Sequence, residues 1–156
     1  MSQWFETKVK YDKTLETGAM KTVTEPYLVD ALSFTEAEAR ITEEMEPYIS
    51  GEFVVTAVRK MNLADIFWKE GGDRWYKVKI NMITIDEKTA AEKKTASFSL
   101  VQAGDFKQAL ESFMEGMKDT MIDFEIASIT ETALMDVFAA NLSETLADKE
   151  AKKNAQ

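Results

Sequence analysis

The feature that most constrains this chain is that it reads as one unit written twice. Placing Trp4 over Trp75 brings Phe5 over Tyr76, Lys8 over Lys79 and Val9 over Ile80. After a loop one residue longer in the second copy, Leu28-Val29 meets Leu100-Val101 and Ala31 meets Ala103. Phe34 then falls on Phe106, Ala37 on Ala109, Glu43 on Glu115 and Met45 on Met117. With one residue removed again, Phe53 meets Phe124, Leu63 meets Leu134, Asp65 meets Asp136 and Phe67 meets Phe138. A repeat fixes the fold at the level of its unit, so the unit is read first.

Each copy opens with a strand. Phe5, Thr7, Val9 and Tyr11 alternate with Glu6, Lys8 and Lys10, and Tyr76, Val78, Ile80 and Met82 alternate with Lys77, Lys79 and Asn81. That period of two is the mark of a half-buried strand. Ile83 and Ile85 break the phase, which predicts a bulge or bend near Met82-Ile83. A polar turn leads to a return strand, about Lys21 to Ala31 and Lys94 to Ala103. Pro26 cannot donate to a ladder and marks an edge or a bulge. Ser33 with Glu36, and Asp105 with Gln108, are capping boxes that start helices. Phe34, Ala37, Ile41 and Met45 share one helical face. Phe106, Ala109, Leu110, Phe113, Met117 and Met121 share the other, and Pro47 stops the first helix. Third strands follow at Phe53 to Val58 and Phe124 to Ile129. Short helical tails are predicted at Met61 to Phe67 and Thr132 to Phe138.

The expected fold is therefore α+β: tandem duplicated ββαβ units with pseudo-two-fold symmetry, their sheet or sheets covered by two helices. The copies span about 3–68 and 74–139, joined at Lys69-Glu70-Gly71-Gly72-Asp73, in a single domain over 1–140. They could join edge to edge in one sheet or pack face to face. Residues 141–156, rich in Ala, Lys, Glu and Asn, read as a flexible or frayed helical tail.

Composition narrows the chemistry. The chain has no cysteine and no histidine. It lacks a disulfide framework, the commonest acid–base side chain and the favoured ligands of zinc, copper and iron. No catalytic residues, metal site or cofactor are expected. The apolar runs are short, and the N-terminus lacks a signal-peptide pattern, so the expectation is a cytoplasmic protein without membrane contact. A net charge of −9 repels phosphate backbones unless basic residues are segregated.

Some segregation is present. Trp4, Lys8 and Lys10, and Trp75, Lys77 and Lys79, lie on strand faces opposite the helices. Aromatic rings with lysines could stack bases and hold phosphates, although strand lysines also serve simply as solvent-facing edge guards. Helix exteriors carry Glu43, Glu44 and Glu115 among other acids. They could dock a basic partner, or be a solvated face. The repeated Leu-x-Asp-[Ile/Val]-Phe at Leu63 to Phe67 and Leu134 to Phe138 could pair two aspartates around magnesium, or place an aspartate at a turn between anchors. Met45, Met114, Met117, Met121 and Met135 either fill core gaps or line an adaptable contact.

The strings Trp4-Phe5-Glu6-Thr7-Lys8-Val9, Thr24-Glu25-Pro26-Tyr27-Leu28-Val29-Asp30-Ala31, Gly72-Asp73-Arg74-Trp75-Tyr76-Lys77-Val78 and Glu125-Ile126-Ala127-Ser128-Ile129-Thr130-Glu131-Thr132 resemble a family of Bacteroidota and their phages known as domain of unknown function 4494. The resemblance implies a bacterial or phage origin and carries no catalytic residue. The leading expectation is a non-enzymatic interaction protein with a protein partner: an adaptor, or an inhibitor of the kind that phages and mobile elements carry. The alternatives are a protein that sequesters a small nucleotide ligand at the repeat junction, and single-stranded nucleic-acid binding by the Lys/Trp face.

Overall fold

A computed structural model describes residues 3–139. The predicted tail at 141–156 lies outside the described residues. In chain order the elements are β1 (Gln3–Thr14), β2 (Met20–Ala31), α1 (Phe34–Met45), β3 (Phe53–Met61), β4 (Asp65–Phe67), β5 (Arg74–Ile85), β6 (Glu92–Ala103), α2 (Phe106–Met117), β7 (Phe124–Glu131) and β8 (Asp136–Phe138). The fold is mixed α+β. Its described strands form two separate four-stranded sheets, so the alternative of one continuous sheet is not what forms. The chain divides into two compact units. Of the described residues, unit 1 holds 3–61 and 134–139, and unit 2 runs from Asn62 to Ala133.

In unit 1 the strand order is β3-β1-β2-β8. β1 and β2 pair as an antiparallel hairpin, with Phe5 opposite Val29 and Val9 opposite Glu25. The alternation predicted from sequence sends Phe5, Thr7 and Val9 toward α1. There they join Tyr27, Val29 and Ala31 from β2 with Ala37, Ile41, Met45 and Ile49. Burying a side chain of this size contributes about 1.5–3 kcal/mol. Thr7 is fully buried, and its hydroxyl donates to the Tyr27 carbonyl at 2.9 Å. The polar group thus has its partner in the core. Asp30 is also buried and is paired with Arg40 of α1.

Ser33 starts α1 as predicted. Its Oγ accepts from the Glu36 N–H at 3.1 Å, and the Glu36 carboxylate accepts from the Leu32 N–H at 3.2 Å. The helix ends at Met45, before Pro47. Pro26 causes no loss in the β1–β2 ladder. Its carbonyl accepts from Met135 at 2.9 Å, so its backbone faces away from β1, where a missing N–H costs no ladder bond.

In unit 2 the order is β4-β6-β5-β7. Tyr76, Val78 and Ile80 face Val101, Ala103, Ala109 and Phe113. Phe113 is the hub: its ring meets Phe67 edge-on at 5.6 Å and Phe124 at 6.0 Å. Asp105 caps α2 by accepting from Gln108 at 2.8 Å.

Three local expectations are corrected. The segments ending in Phe67 and Phe138 are strands, not helices. β4 runs parallel to β6 and β8 parallel to β2. Apolar residues at Leu63, Ile66 and Phe67 have helical spacing, but three paired residues beside a sheet edge satisfy the backbone instead. Met121 does not belong to α2, which ends at Met117 with Thr120 N–H turning back to the Met117 carbonyl at 3.1 Å. The bulges lie in the third strands. Lys8 and Val9 face Ala57 and Val55, leaving Thr56 extra, and Lys79 and Ile80 face Ser128 and Ile126, leaving Ala127 extra. β5 keeps its register with β6 through Met82 and Ile83.

The stretch Lys69 to Asp73 is a tight turn inside unit 2. The Gln102 side chain accepts from Lys69 N–H and donates to the Gly72 carbonyl, both at 3.0 Å. A Cβ on Gly72 would sit 2.8 Å from the backbone nitrogen of Ala103. Backbone in a paired strand cannot yield as a side-chain tip can. Gly72→Ala should therefore destabilise the chain by about 1–3 kcal/mol. Chemical denaturation should show a lower midpoint; an unchanged midpoint would contradict this packing.

Candidate functional site

The basic faces come first, because β1 and β5 present them directly. In unit 1 Lys8 and Lys10 are exposed and Trp4 is half-buried, on the face away from α1. In unit 2 the strand alternation puts Trp75, Lys77 and Lys79 on one face, but the aromatic is closed off. Trp75 is 2% exposed and packs edge-on against Trp68 at 5.2 Å. A ring in that setting has no face to offer a base. Trp75 is therefore a buried anchor, which corrects its reading as a stacking platform. The Lys77 ammonium lies 4.7 Å from the centre of the Phe98 ring and that of Lys79 6.0 Å. These contacts are worth about 0.5–1 kcal/mol and give both lysines a structural use.

The acidic helix residues separate. Glu43 is exposed. Glu44 lies 3.9 Å from Arg40, whose guanidinium also holds Asp30. Glu115 pairs with Lys118 at 2.5 Å. On the sheet of unit 2, Glu125 accepts from Lys94 at 2.9 Å and from Asn81 at 3.2 Å. The Lys94 bond, with that of Asn81, holds the Glu125 carboxyl below the usual range. The paired aspartates are used locally. Asp65 accepts from the Ile66 N–H and Asp136 from the Val137 N–H, each at 2.8 Å. Among the described residues no group of three or more acidic side chains is arranged to hold a metal.

Two features escape a reading by alternation alone. The first is a hydrogen-bonded cluster in unit 1. Val9 faces Glu25, so Tyr11, Glu25 and Tyr27 share the helix side of the hairpin. Both phenol hydroxyls donate to the same oxygen, Oε1 of Glu25: Tyr11 in a short bond, Tyr27 at 3.5 Å. Phe138 stacks on Tyr27 at 5.9 Å.

The second is an apolar surface of unit 2. Met114 and Ile122 are each 47% exposed, and Met121 is 99% exposed. Met114, Ile122, Asp123, Phe124 and Ile126 line an open groove of about 460 Å³ between α2 and β7. β7 is the last strand of its sheet, so its outer edge is unpaired among the described residues. Asp123 is exposed in the lining of this groove, whereas Glu111 and Glu115 line a second groove on the β4 side of α2. The methionine-rich stretch was the sequence signal. The end of α2 at Met117, which frees Met121, was not visible in it.

A protein family described as a domain of unknown function, DUF4494, matches residues 3–140. The chain belongs to the DUF4494 family. No curated protein and no solved structure matches it. No helix among the described residues of this DUF4494 chain is long and apolar enough to cross a membrane.

The tyrosine cluster gives a titration with a defined sign. Burial, then the hydrogen bond and charge of Glu25, push the Tyr11 phenol up to about 12 from its ordinary 10. Burial and Glu25 also raise Tyr27. The folded state thus keeps protons that the unfolded chain releases near pH 10. The associated stability is complete below pH 10 and is lost as the pH climbs toward about 12. Glu25→Gln removes the negative charge opposing phenolate. The variant's tyrosinate absorbance should rise at lower pH than in the parent chain; coincident titration curves would contradict the cluster.

Proposed function

We propose that this protein is a non-enzymatic interaction protein, an adaptor or inhibitor of the kind carried by phages and mobile elements. Its working surface is the α2–β7 face of unit 2. One observation carries the reading: Met114, Met121 and Ile122 stand exposed around an open groove beside an unpaired strand edge. Covering a side chain of this type yields about 1.5–3 kcal/mol, so three of them can drive association. Methionine, unbranched and with three rotatable side-chain bonds, adapts its shape to a partner. Asp123 in the groove, with the other exposed acids that α2 carries, favours a basic partner and speeds its approach. A sequence with neither histidine nor cysteine suits a binding role better than a catalytic one.

The two units are read as a tandem duplication that has diverged in its surfaces. Support comes from matched ladders: Phe5 faces Val29 as Tyr76 faces Val101, and each β-bulge follows the equivalent lysine, Lys8 and Lys79.

The test is capture of the tagged chain from its own host, with nuclease treatment. A stoichiometric protein partner is expected, and its yield should fall at least tenfold for Met121→Asp combined with Ile122→Asp. Met121 is fully exposed and Ile122 about half-exposed, and circular dichroism would check that the variant folds as the parent does. Equal capture by the variant would move the surface elsewhere. A parent chain that captures no protein would refute the interaction reading.

A further inference from the structure

The repeated Leu-x-Asp-[Ile/Val]-Phe pattern has a use that neither its metal reading nor its turn reading describes. Each segment is a short strand docked in parallel on the free side of a hairpin, and the registers agree residue for residue. Asp136, Val137 and Phe138 face Tyr27, Leu28 and Val29; Asp65, Ile66 and Phe67 face Ser99, Leu100 and Val101. The lead-in bonds also agree. Met135 N–H reaches the Pro26 carbonyl at 2.9 Å, and Ala64 N–H reaches the Phe98 carbonyl at 2.8 Å. In both, the aspartate accepts the next N–H at 2.8 Å and sets the entry into the strand.

The two differ in chain path: β4 leads directly into the β5–β6 hairpin it completes, whereas β8 is separated from the β1–β2 hairpin by all of unit 2. β4 follows β3, yet it closes the sheet of unit 2. β8 follows β7, yet it closes the sheet of unit 1. The same pattern thus fills the slot in the same register whether it is joined to the hairpin, as in β4, or remote from it, as in β8. Its contents are specific: Val137 is 5% exposed, Leu134 is 7% exposed and Phe138 stacks on Tyr27. In β4 the corresponding Phe67 packs on Phe113, and the turn after it, held by Gln102, ties the strand to β5. β8 has three paired residues and a lead-in of a few more.

The geometry points to β8 as an exchangeable strand, with a second copy of this chain as its alternative host. Two copies trade Leu134 to Phe138, each docking beside β2 of the other. Every contact that holds β8 to β2 is recreated in the exchange, so little is lost in enthalpy and the outcome depends on concentration. Exchange of an identical element is a low-cost route to a dimer. The competing closure within one chain acts at an effective concentration of order mM, which sets the range in which the dimer should appear.

The natural chain has no cysteine, so single thiols report cleanly. Pro26→Cys and Met135→Cys would be prepared as separate full-length chains, mixed at high concentration, warmed briefly and oxidised. The mixed 26–135 disulfide dimer should exceed either homodimer several-fold by mass spectrometry. The double variant in one chain, which should close internally when dilute, shows that the geometry permits the bond. Sedimentation of the parent chain gives an independent reading, with a dimer fraction that grows with concentration after warming. Chains that stay monomeric at every concentration would overturn the exchange. So would homodimers in excess of the mixed species.

Discussion

The parallel pairing of Asp136-Val137-Phe138 with Tyr27-Leu28-Val29 is a small contact on which the whole chain path depends. A hairpin with one helix and one further strand leaves one side of β2 unpaired, and backbone groups there need partners. β8 supplies them, and β4 does the same for β6. The cost is topological. Unit 1 is assembled from two stretches of sequence, with all of unit 2 between them. The β2–β8 pairing is accordingly non-local, and chain-closure entropy opposes it until it forms.

On these related scaffolds the side chains diverge at a few positions with large effects. Unit 1 places Tyr11, Glu25 and Tyr27 on the helix side of its hairpin; the aligned positions in unit 2 hold Met82, Ser97 and Ser99. Phe138 rests on Tyr27, whereas Phe67 reaches the helix and needs the missing side chain of Gly116, where a Cβ would lie 2.4 Å from its ring. Glu44 occupies the aligned place in α1 and is turned instead to Arg40. Such differences let two units with matching ladders present two unlike surfaces.

The hairpins and helices were legible in the sequence because each has local chemistry that names it: period-two alternation, a capping box, a proline stop. β4 and β8 were not. Three residues are too few to show a period, and Leu63, Ile66 and Phe67 suit a helical face equally well. Only the neighbouring edge decides between them. The tyrosine cluster was hidden for a related reason. Tyr11 and Glu25 meet only because the hairpin register puts Val9 opposite Glu25, and register depends on the turn. The lysines of β5 were found on the correct face, but the burial of Trp75 follows from Trp68, whose position a strand pattern does not give. The acidic and methionine-rich character of the α2 region was visible; the free edge of β7 beside it required the strand order.

The discontinuity of unit 1 also sets an order of events during synthesis. Unit 2 is one uninterrupted stretch, complete once Ala133 has left the ribosome, while the older part of the chain still lacks its fourth strand. The first-made hairpin must therefore wait, with one side of β2 uncovered, through the translation of everything up to Phe138. Its maturation is gated by the arrival of Leu134 to Phe138, so the segment made late decides when the segment made first is finished.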